Sequence, residues 1–143
     1  MKVTIKRVYE AAATADGYRV LVDRLWPRGL RKEDARVDEW LRDLAPSNEL
    51  RRWYHARPEE WDAFRKKYLK ELSLSPAHEA LDRLYQLAHT KKRATMLFAS
   101  KNEERNNATV LQELLHGKRK PPKGTGPVTA GAMRQRAAAA RRK

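Results

Sequence analysis

No cysteine occurs in the chain, which removes disulfide pairing, thiolate nucleophiles and cysteine-type zinc sites together. No run of eighteen apolar residues occurs either, so no membrane contact through a spanning helix is expected. The first residues, Met1-Lys2-Val3-Thr4-Ile5-Lys6, carry charge early and hold no long apolar stretch. They do not read as a signal peptide, and the cytoplasm is the default setting. Glycine-rich phosphate loops, the dinucleotide glycine fingerprint and a serine nucleophile elbow are all missing. The four histidines, His55, His78, His89 and His116, do not stand at metal-ligand spacing with carboxylates. No metal site and no cofactor is therefore expected.

What is abundant is positive charge, and it is unevenly spread. The 143 residues carry a formal net charge of +14. Nine of the 32 basic residues lie beyond Gly117, in a stretch without a single acid, and 23 share residues 1–116 with all 18 acids. Composition divides the chain accordingly: residues 1–117 form one α/β domain, and residues 118–143, with the run Lys118-Arg119-Lys120-Pro121-Pro122-Lys123-Gly124, form a flexible basic tail with little to bury. The tail residues Lys118, Arg119, Lys120, Lys123, Arg134, Arg136, Arg141, Arg142 and Lys143 are candidates for nucleic-acid contact, because clustered cations bind polyanions by releasing counterions. A solubilising tail with no partner is the plainer alternative.

Within the body, Val3, Ile5 and Val8 suggest a strand over residues 2–9, and Tyr18–Val22 is a continuous apolar run suited to a central strand. Val37, Trp40, Leu41 and Leu44 follow helical spacing, although Arg36–Trp40 would also serve as a short strand. Ser47 is placed to cap a helix carrying Leu50, Trp53 and Tyr54. A helix is predicted over Pro58–Ser73, with Glu59 and Glu60 in its first turn and Trp61, Phe64, Tyr68, Leu69 and Leu72 inward. Another follows Ser75-Pro76 to about Ala88. Ala94–Ala99 reads as a strand, and a last helix from about Asn107 to His116 is closed by Gly117. Strands alternating with helices predict a small, mostly parallel sheet flanked by helices, in which ligands bind beyond the carboxyl ends of the strands.

Two strands end in polar clusters. Asp23, Arg24, Trp26 and Arg28 follow the first apolar run, stiffened by Pro27 and released by Gly29. Ser100, Lys101, Asn106 and Asn107 follow the second. Guanidinium forks bind phosphate or carboxylate in pairs of hydrogen bonds, and an indole stacks on rings. Asp23 either orients a fork or acts as a base; an ion-paired turn is the equal structural alternative. Trp26 is as well suited to a core anchor as to a ligand. Asn106 is a natural helix cap and Lys101 the freer cation. His55 is a second candidate proton carrier, with Arg51 and Arg52 beside it, although a water-satisfied helix-end histidine is the simpler reading.

The string Val22-Asp23-Arg24-Leu25-Trp26-Pro27-Arg28-Gly29 resembles the signature of the YeaO-like proteins, a bacterial family of unknown function. Trp40–Ser47, the run Leu50–His55 leading to Trp61, Phe64 and Tyr68, and Asn106-Asn107-Ala108 fit the same pattern, so the resemblance spans nearly all of residues 2–116. It implies a fold and a site location but no established activity. The wider superfamily carries an Asp-x-Arg-type motif after an early strand and a Cys-His-Arg-like motif after a late one. Here Ser100-Lys101-Asn102 stands in the later region without a cysteine, so thiol chemistry does not carry over.

Three functions follow. The body binds a small anionic ligand, phosphate- or nucleotide-like, through Asp23, Arg24, Trp26, Arg28, Lys101, Asn106 and Asn107. Alternatively the same crevice performs acid–base or transfer chemistry with Asp23 or His55 as the catalytic group. In the third, the basic tail makes the protein nucleic-acid-associated.

Overall fold

The computed structural model describes residues 3–117. These divide into two compact units, one formed by the chain up to Ala45 and from Gln86 onward, the other by Pro46–Tyr85. The first holds four strands: β1 (Val3–Arg7), β2 (Tyr18–Leu21), β3 (Glu39–Trp40) and β4 (Ala94–Phe98). Their order is β1-β4-β2-β3 and every pair is parallel. The α/β sheet expected from the alternation of elements is therefore what forms. All five residues of β4 are buried, as a strand with neighbours on both sides requires, and Leu97 sits in register with Lys6 of β1 and Leu21 of β2. Leu21, Leu97, Val8 and Ala35 close a small core on which Trp26, Leu30, Val37 and Trp40 pack.

Several boundaries differ from the sequence reading for identifiable reasons. β2 ends at Leu21, but the Val22 N–H still donates to the Leu97 carbonyl at 3.1 Å, so the apolar run continues the sheet's edge. The segment Arg36–Leu44 takes the strand option. Asp38 N–H donates to Arg19 O at 2.8 Å and Leu41 N–H to Leu21 O at 2.9 Å, and this pairing displaces the helix that the spacing also allowed. Only a 3-10 turn at Arg42–Leu44 remains of it, following the single turn α1 (Lys32–Ala35). The final helix, α5 (Asn107–Leu115), packs on β1 and β4 and is followed by Gly117 at a φ of +73°.

The helical unit contains α2 (Asn48–Ala56), α3 (Trp61–Leu72) and α4 (Ala77–Thr90) as far as Tyr85. Ser47 caps α2 by accepting from Leu50 N–H at 3.1 Å, and its own hydroxyl donates to Glu71 at 2.6 Å. α3 begins three residues later than predicted. Glu60 is its cap in a non-helical conformation, so Glu59 and Glu60 precede the helix and Asp62 is the acid in its first turn. Phe64 stacks on Tyr54 at 4.5 Å between ring centres and on Trp61 at 5.6 Å, tying α2 to α3. Among the described residues no helix is long and apolar enough to cross a membrane.

One ionic cluster is sealed inside the sheet unit. Arg19, 4% exposed, is bonded to the Asp16 carboxylate and donates to the Ala35 carbonyl at 2.7 Å through Nη2 and to the Arg36 carbonyl at 3.1 Å through Nε. Asp16 also receives Lys6 Nζ at 3.1 Å and Ala13 N–H at 2.9 Å. Burial alone would raise the Asp16 pKa, but the Ala13 N–H, Lys6 and Arg19 together hold it below its ordinary value. The turn that carries this cluster then passes hard against the start of β4. A Cβ on Gly17 would lie 2.4 Å from the Arg93 carbonyl oxygen, and its φ is +66°.

Gly17→Ala should therefore destabilise the protein by about 2–4 kcal/mol in urea unfolding, combining backbone overlap with left-handed strain. Gly29→Ala, at φ +77° with open space around it, should cost only about 1–2 kcal/mol. Equal losses at the two glycines would show that the contact with Arg93 is not what constrains this turn.

Candidate functional site

Parallel pairing sets the carboxyl ends of all four strands along one edge. Asp23 lies two residues past β2, and both of its carboxylate oxygens are used. Oδ2 accepts from Ala99 N–H at 2.8 Å, just beyond β4, and Oδ1 accepts from Asn107 Nδ2 at 3.1 Å, the first residue of α5. Asn107 Nδ2 also donates to the Val22 carbonyl at 2.8 Å, and the Asp23 carbonyl accepts the Trp40 indole N–H at 2.6 Å. The two polar clusters thus meet, because β2 and β4 are neighbours in register. Burial raises the Asp23 pKa above its ordinary value, against the two N–H donors that favour the ionised form.

The arginines do not pair with Asp23. Arg24 donates to the Ala45 carbonyl at 3.1 Å, which anchors the loop after β2 to the end of the 3-10 turn. Trp26 donates its indole N–H to the Leu30 carbonyl at 2.6 Å and packs edge-on against Trp40, 5.6 Å between ring centres. Asn106 is buried and caps α5 by accepting from Thr109 N–H at 3.0 Å. Arg28 and Lys101 are exposed, and among the described residues neither side chain has a hydrogen bond or ion pair.

Two contributors at this edge were not singled out from the sequence. Arg7, the last residue of β1, donates to the Ser100 carbonyl at 2.9 Å and the Ala99 carbonyl at 3.1 Å. Its guanidinium lies 5.2 Å from the centre of the Tyr9 ring, and the Tyr9 hydroxyl donates to the Arg28 carbonyl at 2.9 Å. This chain of contacts joins the backbone of Arg28 to the backbone preceding Lys101. The signal lay in parallel register: Arg7 faces Phe98, so whatever follows β1 stands beside whatever follows β4.

His55 lies in the helical unit, on α2, with its side chain exposed. The tail residues Lys118, Arg119, Lys120, Lys123, Arg134, Arg136, Arg141, Arg142 and Lys143 lie outside the described residues. Among the described residues no group of three or more acids and histidines is arranged to hold a metal ion.

Comparison with known proteins agrees with the pattern in the sequence. A family model described as the inactive DUF488-N3 subclade matches residues 2–128. An uncharacterized protein of Mycobacterium tuberculosis is 44% identical over 117 residues, covering 82% of this chain and 96% of the relative. The uncharacterized protein YeaO of Escherichia coli is 42% identical over 115 residues, covering 80% of this chain and 97% of the relative. No solved structure gives a significant match.

Replacing Asp23 by Asn tests its place at this junction. An amide nitrogen would face one of two N–H donors, so Asp23→Asn should cost about 1–3 kcal/mol of stability at neutral pH. The sign of the pH dependence follows from the raised pKa. The folded state binds the Asp23 proton more tightly, so the stability this lends is present below the unfolded value of about 3.9 and is lost as pH rises through the folded value. The gap in urea midpoint between wild type and Asp23→Asn should be widest near pH 4 and narrow to a plateau as pH rises. Asp16, present in both proteins, cancels from the difference. A gap that widens with pH would mean that the two N–H donors outweigh burial.

Proposed function

The chain belongs to the YeaO-like family, the inactive DUF488-N3 subclade, and from that premise we propose that its sheet unit binds a small anionic ligand, phosphate- or nucleotide-like, in the crevice beyond β2 and β4. The supporting observation is the pair of exposed cations, Arg28 and Lys101, with no side-chain partner among the described residues. Both stand on loops anchored through their backbones: Arg28 by the Tyr9 hydroxyl, and the segment before Lys101 by Arg7 and Asp23. An anion gains most from donors that are already held in place, because ordering them costs binding energy.

In this reading Arg28 and Lys101 touch the ligand. Asp23, Asn106 and Asn107 position the loops, Arg24 fixes the turn, and Trp26 forms a wall rather than a stacking platform. Binding is favoured over turnover for two reasons. The matching family is described as inactive, and Asp23 spends both oxygens on neutral donors instead of holding one toward a reacting group. Residues 118–143 are taken as a separate basic extension.

Isothermal titration of the full chain with inorganic phosphate and with AMP provides the test. Arg28→Ala and Lys101→Ala should each weaken binding of the preferred probe by about tenfold or more, the loss expected for one charge-assisted hydrogen bond. The reading fails if wild type binds neither probe at millimolar concentration, or if both variants bind as wild type does.

A further inference from the structure

The opposite edge of the sheet carries a second concentration of positive charge. An open hollow of about 450 Å³ is lined by Gly17, Tyr18, Asp38, Lys91, Lys92 and Arg93, residues that lead into or open β2, β3 and β4. Its three consecutive cations are all exposed. Lys91 Nζ lies 4.3 Å from the centre of the Tyr18 ring, and the Tyr18 hydroxyl donates to Glu39 at 2.8 Å. The side chains of Lys92 and Arg93 have no hydrogen bond or ion pair among the described residues. The acid on the wall, Asp38, is engaged with the backbone, accepting from Arg19 N–H at 2.8 Å, and Lys91, Lys92 and Arg93 do not pair with it.

The backbone presenting these cations is fixed. Tyr18 N–H donates to the Arg93 carbonyl at 2.9 Å, and the absence of a side chain on Gly17 allows that close approach. Three adjacent like charges repel one another, so a rigid backbone that displays them together favours a ligand bringing several negative charges at once.

The direction of the chain adds a second observation. His116 Nε2 lies 3.2 Å from the Val3 carbonyl oxygen and Gln112 Nε2 donates to the same atom at 3.1 Å. Val3 opens β1 in register with Ala94, directly after Arg93. The last described residues therefore stand at the edge that holds the hollow. From this point the sequence continues into Lys118-Arg119-Lys120 and an acid-free stretch with nine basic residues in all.

We propose that this amino-terminal edge of the sheet, at which the last described residues also stand, binds the phosphodiester backbone of a nucleic-acid strand through Lys91, Lys92 and Arg93. The charge is spread over three successive exposed residues, which suits a linear polyanion better than a single phosphate. No base-reading group is assigned, so binding is sequence-independent and salt-dependent. The site is distinct from the one proposed at Arg28 and Lys101, beyond the other end of the strands.

Fluorescence anisotropy of the full chain with a labelled, mixed-sequence single-stranded DNA oligonucleotide, measured across a salt series, tests the proposal. The triple variant Lys91→Ala/Lys92→Ala/Arg93→Ala should bind at least about tenfold more weakly. Its log–log salt slope should be shallower by about 0.7 for each lost phosphate contact, about 2 in total. A control variant, Arg52→Ala/Lys66→Ala/Lys70→Ala, removes the same charge from exposed positions of the helical unit and should bind as wild type. Unchanged circular dichroism establishes that each variant is folded. Four results overturn the proposal: no binding by wild type at low salt, an unchanged slope in the triple variant, an equal loss in the control, or complete displacement by 10 mM inorganic phosphate, about the level at which a free-phosphate site would fill. Retention of oligonucleotide affinity by Arg28→Ala supports the separation of the two sites.

Discussion

Three separate pieces of chain end at the Asp23 carboxylate. It stands just past β2, takes the amide that follows β4 and the side chain that opens α5, and its own carbonyl holds the indole of Trp40. A carboxylate drawn partly out of water, as Asp23 is, costs free energy unless its oxygens are satisfied. Here both are, by neutral donors, and each donor belongs to a different segment. The arrangement of the whole carboxyl edge depends on that convergence. Lose the correct partner at any corner and a charge is left desolvated without compensation.

The cations of the sheet unit sort into two kinds by the same logic. Arg19 is buried and bonded to a carboxylate and to backbone carbonyls, and Arg7 and Arg24 spend donors on loop carbonyls. These guanidinium groups hold segments together, a use that suits a planar fork with several fixed donors. Arg28, Lys101, Lys92 and Arg93 are exposed and make no such contacts among the described residues. They gather at the two opposite edges of the parallel sheet, on loops with backbone carbonyls held by hydrogen bonds at Arg28, Ser100 and Arg93. The fold thus uses one set of positive charges as fasteners and displays another.

The helical unit follows different rules. Aromatic contact along α2 and α3 and a serine cap braced by Glu71 contribute to its order. Trp53 shares helical spacing with the buried Leu50. It is half-buried, with Arg57 and Lys67 at 5.3 and 5.0 Å from its ring centre. A ring flanked by long cationic side chains reads in sequence like any other apolar position, because spacing reports the face of a helix and not the depth at which that face is covered.

Sequence alone determined the strand at Ala94–Phe98, the caps at Ser47 and Asn106, and the polar clusters after two strands. Each of these is a local effect: an unbroken apolar run, or a short side chain able to reach the first free N–H groups of a helix. It also determined where the charge lies and that no thiol takes part. Tertiary structure decided the rest. Asp23 and Asn107 are 84 positions apart, and only the pairing of β2 with β4 makes them neighbours and turns Asp23 from an expected partner of arginine into the acceptor of an amide. The pairing of β3 with β2 likewise made a strand of Glu39–Trp40, whose spacing fitted a helix equally well. Periodicity records which residues seek burial; hydrogen-bond partners between distant segments are chosen when the sheet assembles.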